Sequence, residues 1–478
     1  MKYIYVLLIL SLISLNSIAQ SKDYDLLVGE FETNYNSGNY DMLYSSFSKE
    51  LQQVLSKKEA MKFFSDMRLQ IGNITDKQLI TLNEDNSKSY KISFEQSEIQ
   101  LNISFGNDNK ITEIQFNPYK KEEVIENTVT NALSGLSDQY SDLFFEKVKP
   151  FPNRTQLSIA FIKNGEVSYY GVKKENDTIK NIDNEYMIFE IGSITKVFTA
   201  TLLANAVLNG QIGWDDEINS YYNFAFKDEK KLYFKDLANH TSGLESIPGN
   251  LKLEEYLTTS ISGASVNPYK SYSENQLEVY LKDDVKLREG QKEYNYSNFG
   301  AGLLGYTLCL ADKSSLNDLY KKNIFDKYGM RNTYSNIKDI ETNFVKGLNG
   351  NGDETCNWVW DSDVLMGAGG LLSCVSDLAK FAIAHFDDNN RELAMTRKAT
   401  FKVSEVLKVG LGWHIIVGDG QELHWHNGGT GGYTSSMILD VEKKNGVIIL
   451  SNISSFSQEM KNIDELSFGL MKLINNIQ

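Results

Sequence analysis

The residues with the clearest chemical potential lie in Phe189-Glu190-Ile191-Gly192-Ser193-Ile194-Thr195-Lys196. The stretch 197–208 that follows is nearly all apolar and ends before Gly210, which predicts a buried helix with a glycine stop. Ser193 and Lys196 are three residues apart, so they share one face of its first turn. A serine hydroxyl is a poor nucleophile until a neighbour removes its proton, and an amine does so only where desolvation lowers its pKa. The helix start also directs N–H groups at developing negative charge. Ser-x-x-Lys spacing recurs at Ser46 and Ser335, in polar surroundings that read as solvated surface pairs. Only Ser193 introduces a long apolar helix.

Two further groups carry chemistry. In Tyr294-Asn295-Tyr296-Ser297-Asn298, Tyr296 and Asn298 project together ahead of Gly300 and the apolar run 303–310. Tyr296 is placed to shuttle a proton, and Asn298 either to bind a substrate amide or to hold Lys196. Tyr-x-Asn also occurs at Tyr221 and Tyr334, and a tyrosine that merely packs a loop onto the core explains the spacing equally well. The other group is Trp425-His426-Asn427-Gly428-Gly429-Thr430-Gly431-Gly432-Tyr433. Its glycines let a substrate approach the backbone, and the Gly429 N–H is available to pair with that of Ser193 as an oxyanion hole. The bland reading is a glycine-rich hairpin with a surface histidine. His424 and His426 share a strand face, yet no further ligands accompany them at zinc spacing, so no metal is expected.

In the order Ser-x-x-Lys, Tyr-x-Asn, His-x-Gly, the chain from about residue 125 resembles the serine β-lactamase and penicillin-binding-protein (DD-peptidase) superfamily, in its class C, D-aminopeptidase and esterase branch. Leu237-Ala238-Asn239-His240-Thr241-Ser242-Gly243-Leu244, Gly367-Ala368-Gly369-Gly370-Leu371-Leu372-Ser373 and Gly410-Leu411-Gly412-Trp413 add to the likeness. The resemblance implies an α+β fold, an antiparallel sheet flanked by helices with a helical subdomain. It implies hydrolysis through an acyl-enzyme on Ser193, with Lys196 and Tyr296 sharing the base and acid roles. Asn298, His426, Gly428 and Gly429 would meet the substrate, and His240 would tie down the turn ending at Gly243. Class C β-lactamases carry Lys-Thr-Gly where this chain has His426-Asn427-Gly428. A fixed cation there would pair with a substrate carboxylate, whereas histidine is mostly neutral at pH 7. The expected substrate is therefore an amide, ester or β-lactam; the alternative is a penicillin-binding or sensing module acylated without turnover. No cofactor is implied.

These residues need elements to hold them. Residues 150–478 read as the serine hydrolase domain, with strands at 157–162, 167–172, 412–417, 433–440 and 446–452 and helices between. Asn164-Gly165 marks a hairpin between the first two. An insertion at 245–289 would roof the cleft. Ahead lie a helical connection at 119–149 and a small α+β unit at 23–118, with helices at 40–47 and 57–67 and four strands after them. That unit resembles an accessory domain sharing the cone of nuclear transport factors. Residues 1–19 read as a signal peptide, with Lys2, an apolar core and small residues at Ser17 and Ala19. Its core of about 12 residues is too short to cross a membrane of ~30 Å. A periplasmic or secreted protein without a membrane anchor follows. The net charge of −15 repels phosphate backbones, which argues against nucleic acid. Three cysteines are too few for a disulfide framework; one bridge, Cys356 to Cys374, is conceivable, and Cys309 reads as a buried apolar residue.

Overall fold

The computed structural model describes residues 24–475, except 56, 83–87, 107, 120–128, 252–266, 289–291 and 419. The leader-like residues 1–19 lie outside the described residues. The chain divides into two compact units, Met1–Asn127 and Thr128–Gln478.

The first unit has four helices, α1 (Tyr24–Asn36), α2 (Tyr40–Ser45), α3 (Lys49–Val54) and α4 (Lys57–Ile71), followed by four strands. The strands β1 (Ile74–Leu82), β2 (Lys88–Phe94), β3 (Glu98–Phe105) and β4 (Ile111–Pro118) form an antiparallel meander in chain order. Period-two alternation in β3 buries Ile99, Leu101, Ile103 and Phe105 on one face. Phe31, Tyr35 and Phe64 pack edge-on or stacked to fill the core.

The second unit is built on a ten-stranded sheet, ordered β11 (Phe401–Lys402), β12 (Leu407–Val409), β13, β14, β15, β16, β6, β7, β8 and β5, the other ranges following below. Within it β6 (Gln156–Lys163) pairs with β16 (Asn445–Ser451), so strands from both ends of the unit meet inside the sheet. The hairpin from β6 to β7 (Glu166–Glu175) turns through Asn164 and Gly165 at φ 55° and 84°. β13 (His414–Gly418), β14 (Gln421–Gly429) and β15 (Thr434–Asp440) continue the sheet on the other side of β16.

Two expectations need correction. The sheet is not wholly antiparallel: β5 (Thr130–Ala132) pairs in parallel with β8 (Thr178–Ile182) at the edge. The segment 119–149 is accordingly not all helix. Its described part holds β5 and then α5 (Asp138–Val148), because three residues of edge strand are too few to show a period.

Helix α5 and the helix Lys461–Asn475 cover one face of the sheet, around Phe144, Leu157, Ile438, Leu466 and Leu470. The other face packs on α6 (Thr195–Leu208) and the helical region, through Phe198, Leu237, Leu303, Trp413 and Met437. Helix α6 is buried almost all round for ten residues, as its unbroken apolar sequence requires. Of the insertion at 245–289, the described part includes the helix Glu274–Val279, started by a Ser273/Gln276 capping box. Residues 252–266 and 289 of it lie outside the described residues. All three cysteines are free thiols; Cys309 and Cys374 are buried and Cys356 is exposed. No helix among the described residues is long and apolar enough to cross a membrane.

Candidate active site

Ser193 sits in a single 3-10 turn, Gly192–Ile194, that feeds directly into α6. The turn is possible because Gly192 takes φ +50°, a conformation L side chains rarely adopt. Lys196 follows one turn later with only 2% of its surface exposed. Its Nζ lies 2.9 Å from Ser193 Oγ and donates to the Ala368 carbonyl at 2.7 Å. Burial holds the lysine pKa well below its ordinary value. The Ala368 carbonyl comes from the Gly367-Ala368-Gly369-Gly370 stretch, which is held to α6 by Thr199 donating to the Gly367 carbonyl at 2.7 Å.

Tyr296 completes the cluster. It lies beside Ser193, which lowers its pKa slightly against the effect of burial, and the Lys196 amine is 4.9 Å from its ring centre. Burial raises the phenol pKa well above its usual value, so the proton stays on. Asn298 begins the helix Asn298–Asp312, and its Nδ2 donates to the Tyr269 hydroxyl at 3.1 Å. The hydrogen bonds of Lys196 run to Ser193 and Ala368, and Asn298 is committed to Tyr269. His240 does something other than fasten the Gly243 turn. At φ 60°, its Nδ1 accepts from the Ser297 N–H at 3.2 Å and its carbonyl accepts from the Asn295 N–H, so it clamps the tyrosine loop. Its ring also packs 4.5 Å from that of Tyr296.

The glycines of β14 bring two backbones into contact. A Cβ on Gly428 would stand 2.0 Å from the Ile191 carbonyl and 2.9 Å from Ser193 N, and one on Gly192 would stand 2.6 Å from Gly429 N. The Ser193 and Gly429 amides are thereby neighbours at the helix start, as an oxyanion hole requires. Ser435 on β15 fastens the same turn, donating to the Ile191 carbonyl at 2.9 Å. His426 is 1% exposed; its Nδ1 lies 2.6 Å from the Asn427 carbonyl, and burial pushes its pKa well below the usual histidine value. The imidazole is therefore neutral, a buried group rather than a surface histidine.

The other two Ser-x-x-Lys pairs form no such site. Ser46 donates to the Leu43 carbonyl at 2.6 Å. Ser335 is not solvated as its polar neighbours imply: it is 7% exposed and donates to Asn317 at 2.7 Å.

Four groups escaped sequence reading. His414, at the start of β13, accepts or donates at Nε2 against the Tyr294 hydroxyl at 2.7 Å and packs 5.2 Å from the His426 ring. Glu190 is buried below the nucleophile turn and accepts from Asn357 Nδ2 at 2.9 Å and from the Trp358 N–H at 2.8 Å. Burial raises its carboxyl to about 7, against the opposing hydrogen bonds. Tyr269 and Trp360 stack at 5.7 Å with planes 8° apart. Glu190 and His414 stood beside motifs already singled out; Tyr269 and Trp360 had no local signal. Among the described residues, no group of three or more His, Cys, Asp or Glu side chains is placed to hold a metal ion.

Comparison with known proteins agrees with this fold. The chain is 25% identical over 315 residues to Beta-lactamase-like protein 4 of Dictyostelium discoideum, covering 63% of this chain and 50% of that one. It is 25% identical over 288 residues to Penicillin-binding protein 4* of Bacillus subtilis, 55% of this chain and 60% of that one. It thus spans about half the length of the first of these curated relatives. An octameric penicillin-binding protein homologue from Pyrococcus abyssi superposes with a TM-score of 0.59 at 23% identity, over 71% of this chain and 77% of that one. A Beta-Lactamase/D-Alanine Carboxypeptidase from Pseudomonas syringae gives 0.57 at 21%, over 70% of this chain and 98% of that one. Residues 29–114 match a protein family of unknown function, DUF3887. With residues 144–468 matching the Beta-lactamase family, the chain belongs to that family, within the serine β-lactamase and penicillin-binding-protein superfamily.

Proposed function

We propose that the protein is a serine hydrolase acting through an acyl-enzyme on Ser193. The observation that carries this reading is the 2.9 Å contact between Ser193 Oγ and an amine buried to 2% exposure, whose pKa burial holds well below the ordinary lysine value. Lys196 takes the serine proton as Oγ attacks the substrate carbonyl. The Ser193 and Gly429 amides receive the oxyanion. Tyr296 then relays that proton from Lys196 to the leaving group, giving up its own hydroxyl proton as it takes the one from the amine and ending as a neutral phenol, and water releases the acyl group by the reverse route. Asn298 and His426 border the substrate. Action outside the cytoplasm belongs to this reading and rests on residues 1–19 alone.

Neutral His426 favours esters and uncharged amides over β-lactams, because it offers no fixed cation to a substrate carboxylate. A fluorophosphonate probe or a fluorescent penicillin should label the protein at one site. Labelling that persists in Ser193→Ala would sink the assignment. A chromogenic cephalosporin compared with a short-chain p-nitrophenyl ester then ranks the substrates. A stoichiometric burst without steady turnover would instead identify a module that is acylated and stays so.

A further inference from the structure

Alternation along β14 sends successive side chains to opposite faces of the sheet. His426 and Gly428 face the nucleophile turn, while Trp425 and Asn427 point the other way, toward the helix Lys461–Asn475. There Trp425 packs 5.6 Å from the Phe468 ring, and Asn427 Nδ2 donates to Asp464 Oδ2 at 2.7 Å. Asp464 lies in the first turn of that helix, where the N–H groups of the helix start favour a carboxylate. Its Oδ1 is shut off from solvent, and burial raises its pKa, with Asn427, Ser436 and Trp425 opposing that rise.

No step of the acyl chemistry uses this carboxyl, yet its partner residue is tied to groups that border the reaction. The Asn427 carbonyl accepts from His426 Nδ1 at 2.6 Å. Two residues further on, the Gly429 N lies 2.6 Å from where a Cβ on Gly192 would stand, beside the nucleophile. An anchored Asn427 side chain resists rotation of its own peptide units. That rotation would move both the carbonyl under His426 and the amides that follow. We propose that Asp464 is a positioning residue for acylation, acting through the Asn427 side chain from the far face of the sheet to hold the Gly429 amide and His426 in place. This rests on the acyl-enzyme reading, in which the Gly429 amide receives the oxyanion. The effect belongs to the transition state, because the amide meets full charge only as Oγ attacks.

The test follows the ester burst of the full chain, giving a maximal acylation rate and a half-saturating ester concentration. Asp464→Ala should lower the maximal rate about tenfold or more, with half-saturation held within about twofold. Asp464→Asn keeps an oxygen that accepts from Asn427 and should restore most of the rate. Asn427→Ala should match Asp464→Ala, and the double variant should lose no more than either alone, as expected of two groups in one chain of contacts. Ile474→Val trims the buried face of the same helix away from Asn427; it should lower the thermal midpoint and leave the rate unchanged. A wild-type rate in Asp464→Ala would overturn the proposal, and so would additive losses in the double variant or an Asp464→Asn rate as low as that of Asp464→Ala. Should Asp464→Ala not fold by circular dichroism, a wild-type rate in Asn427→Ala overturns it equally. Probe labelling of wild type separately decides whether Ser193 is the nucleophile, so the two failures are distinguishable.

Discussion

At the scale of single residues, the site works by keeping charge out. Burial holds the pKa values of Lys196, His240 and His426 well below their ordinary values, and for the two histidines the nearby Lys196 and His414 add to it. Lys196→Arg keeps a cation that cannot give up its proton, so acylation should fall by about 10²–10⁴-fold, measured as the rate of ester burst. In wild type, the acid limb of acylation against pH should lie well below the ordinary lysine range, and Tyr296→Phe should lower the rate without moving that limb. Glu190 supplies a stability prediction. Its folded carboxyl is raised from 4.5 to about 7, so between those values the unfolded chain has released a proton that the folded chain retains. Stability is therefore lost as pH rises from about 4.5 to 7, by on the order of 3 kcal/mol, and stays lost above. Glu190→Gln keeps the acceptor for Asn357 and Trp358 and removes the ionisation. Its thermal midpoint should not show this decline, and an unchanged pH slope would refute the assignment.

Elements bring these residues within reach, and at that scale the glycines of β14 matter most. Gly428→Ala would force a methyl group onto the Ile191 carbonyl and the Ser193 amide, spreading the two amides proposed to receive the oxyanion. A loss of about 10²–10³-fold in acylation should follow. Gly418→Ala, where an added Cβ meets nothing within 4 Å, should behave like wild type in the same assay. The chemistry-bearing turn, its helix and the alternating strands were legible because burial writes itself as an apolar run or as period two. β9 (Phe189–Glu190) and β5 were not, since two or three residues carry no period. Tyr269 and His414 were hidden for a different reason. Their partners are remote in the chain, and only the fold and the pairing of His414 with Trp425 bring them to the site.

For the whole molecule, every residue assigned to the site comes from the unit Thr128–Gln478, which has its own two-sided core. A chain starting at residue 129 should therefore take up the active-site probe at the full-length rate, and calorimetry of the intact protein should resolve two transitions. The order of strands has another consequence. Where β6 pairs with β16, Leu157 lies opposite Ser451, and Ile162 opposite Gly446. During synthesis β6 emerges early and pairs with β7 on one edge, but its other neighbour, β16, is the last strand made. The nascent protein thus carries one open, strongly apolar strand edge through most of its translation, and the sheet closes only after its last strand has left the ribosome.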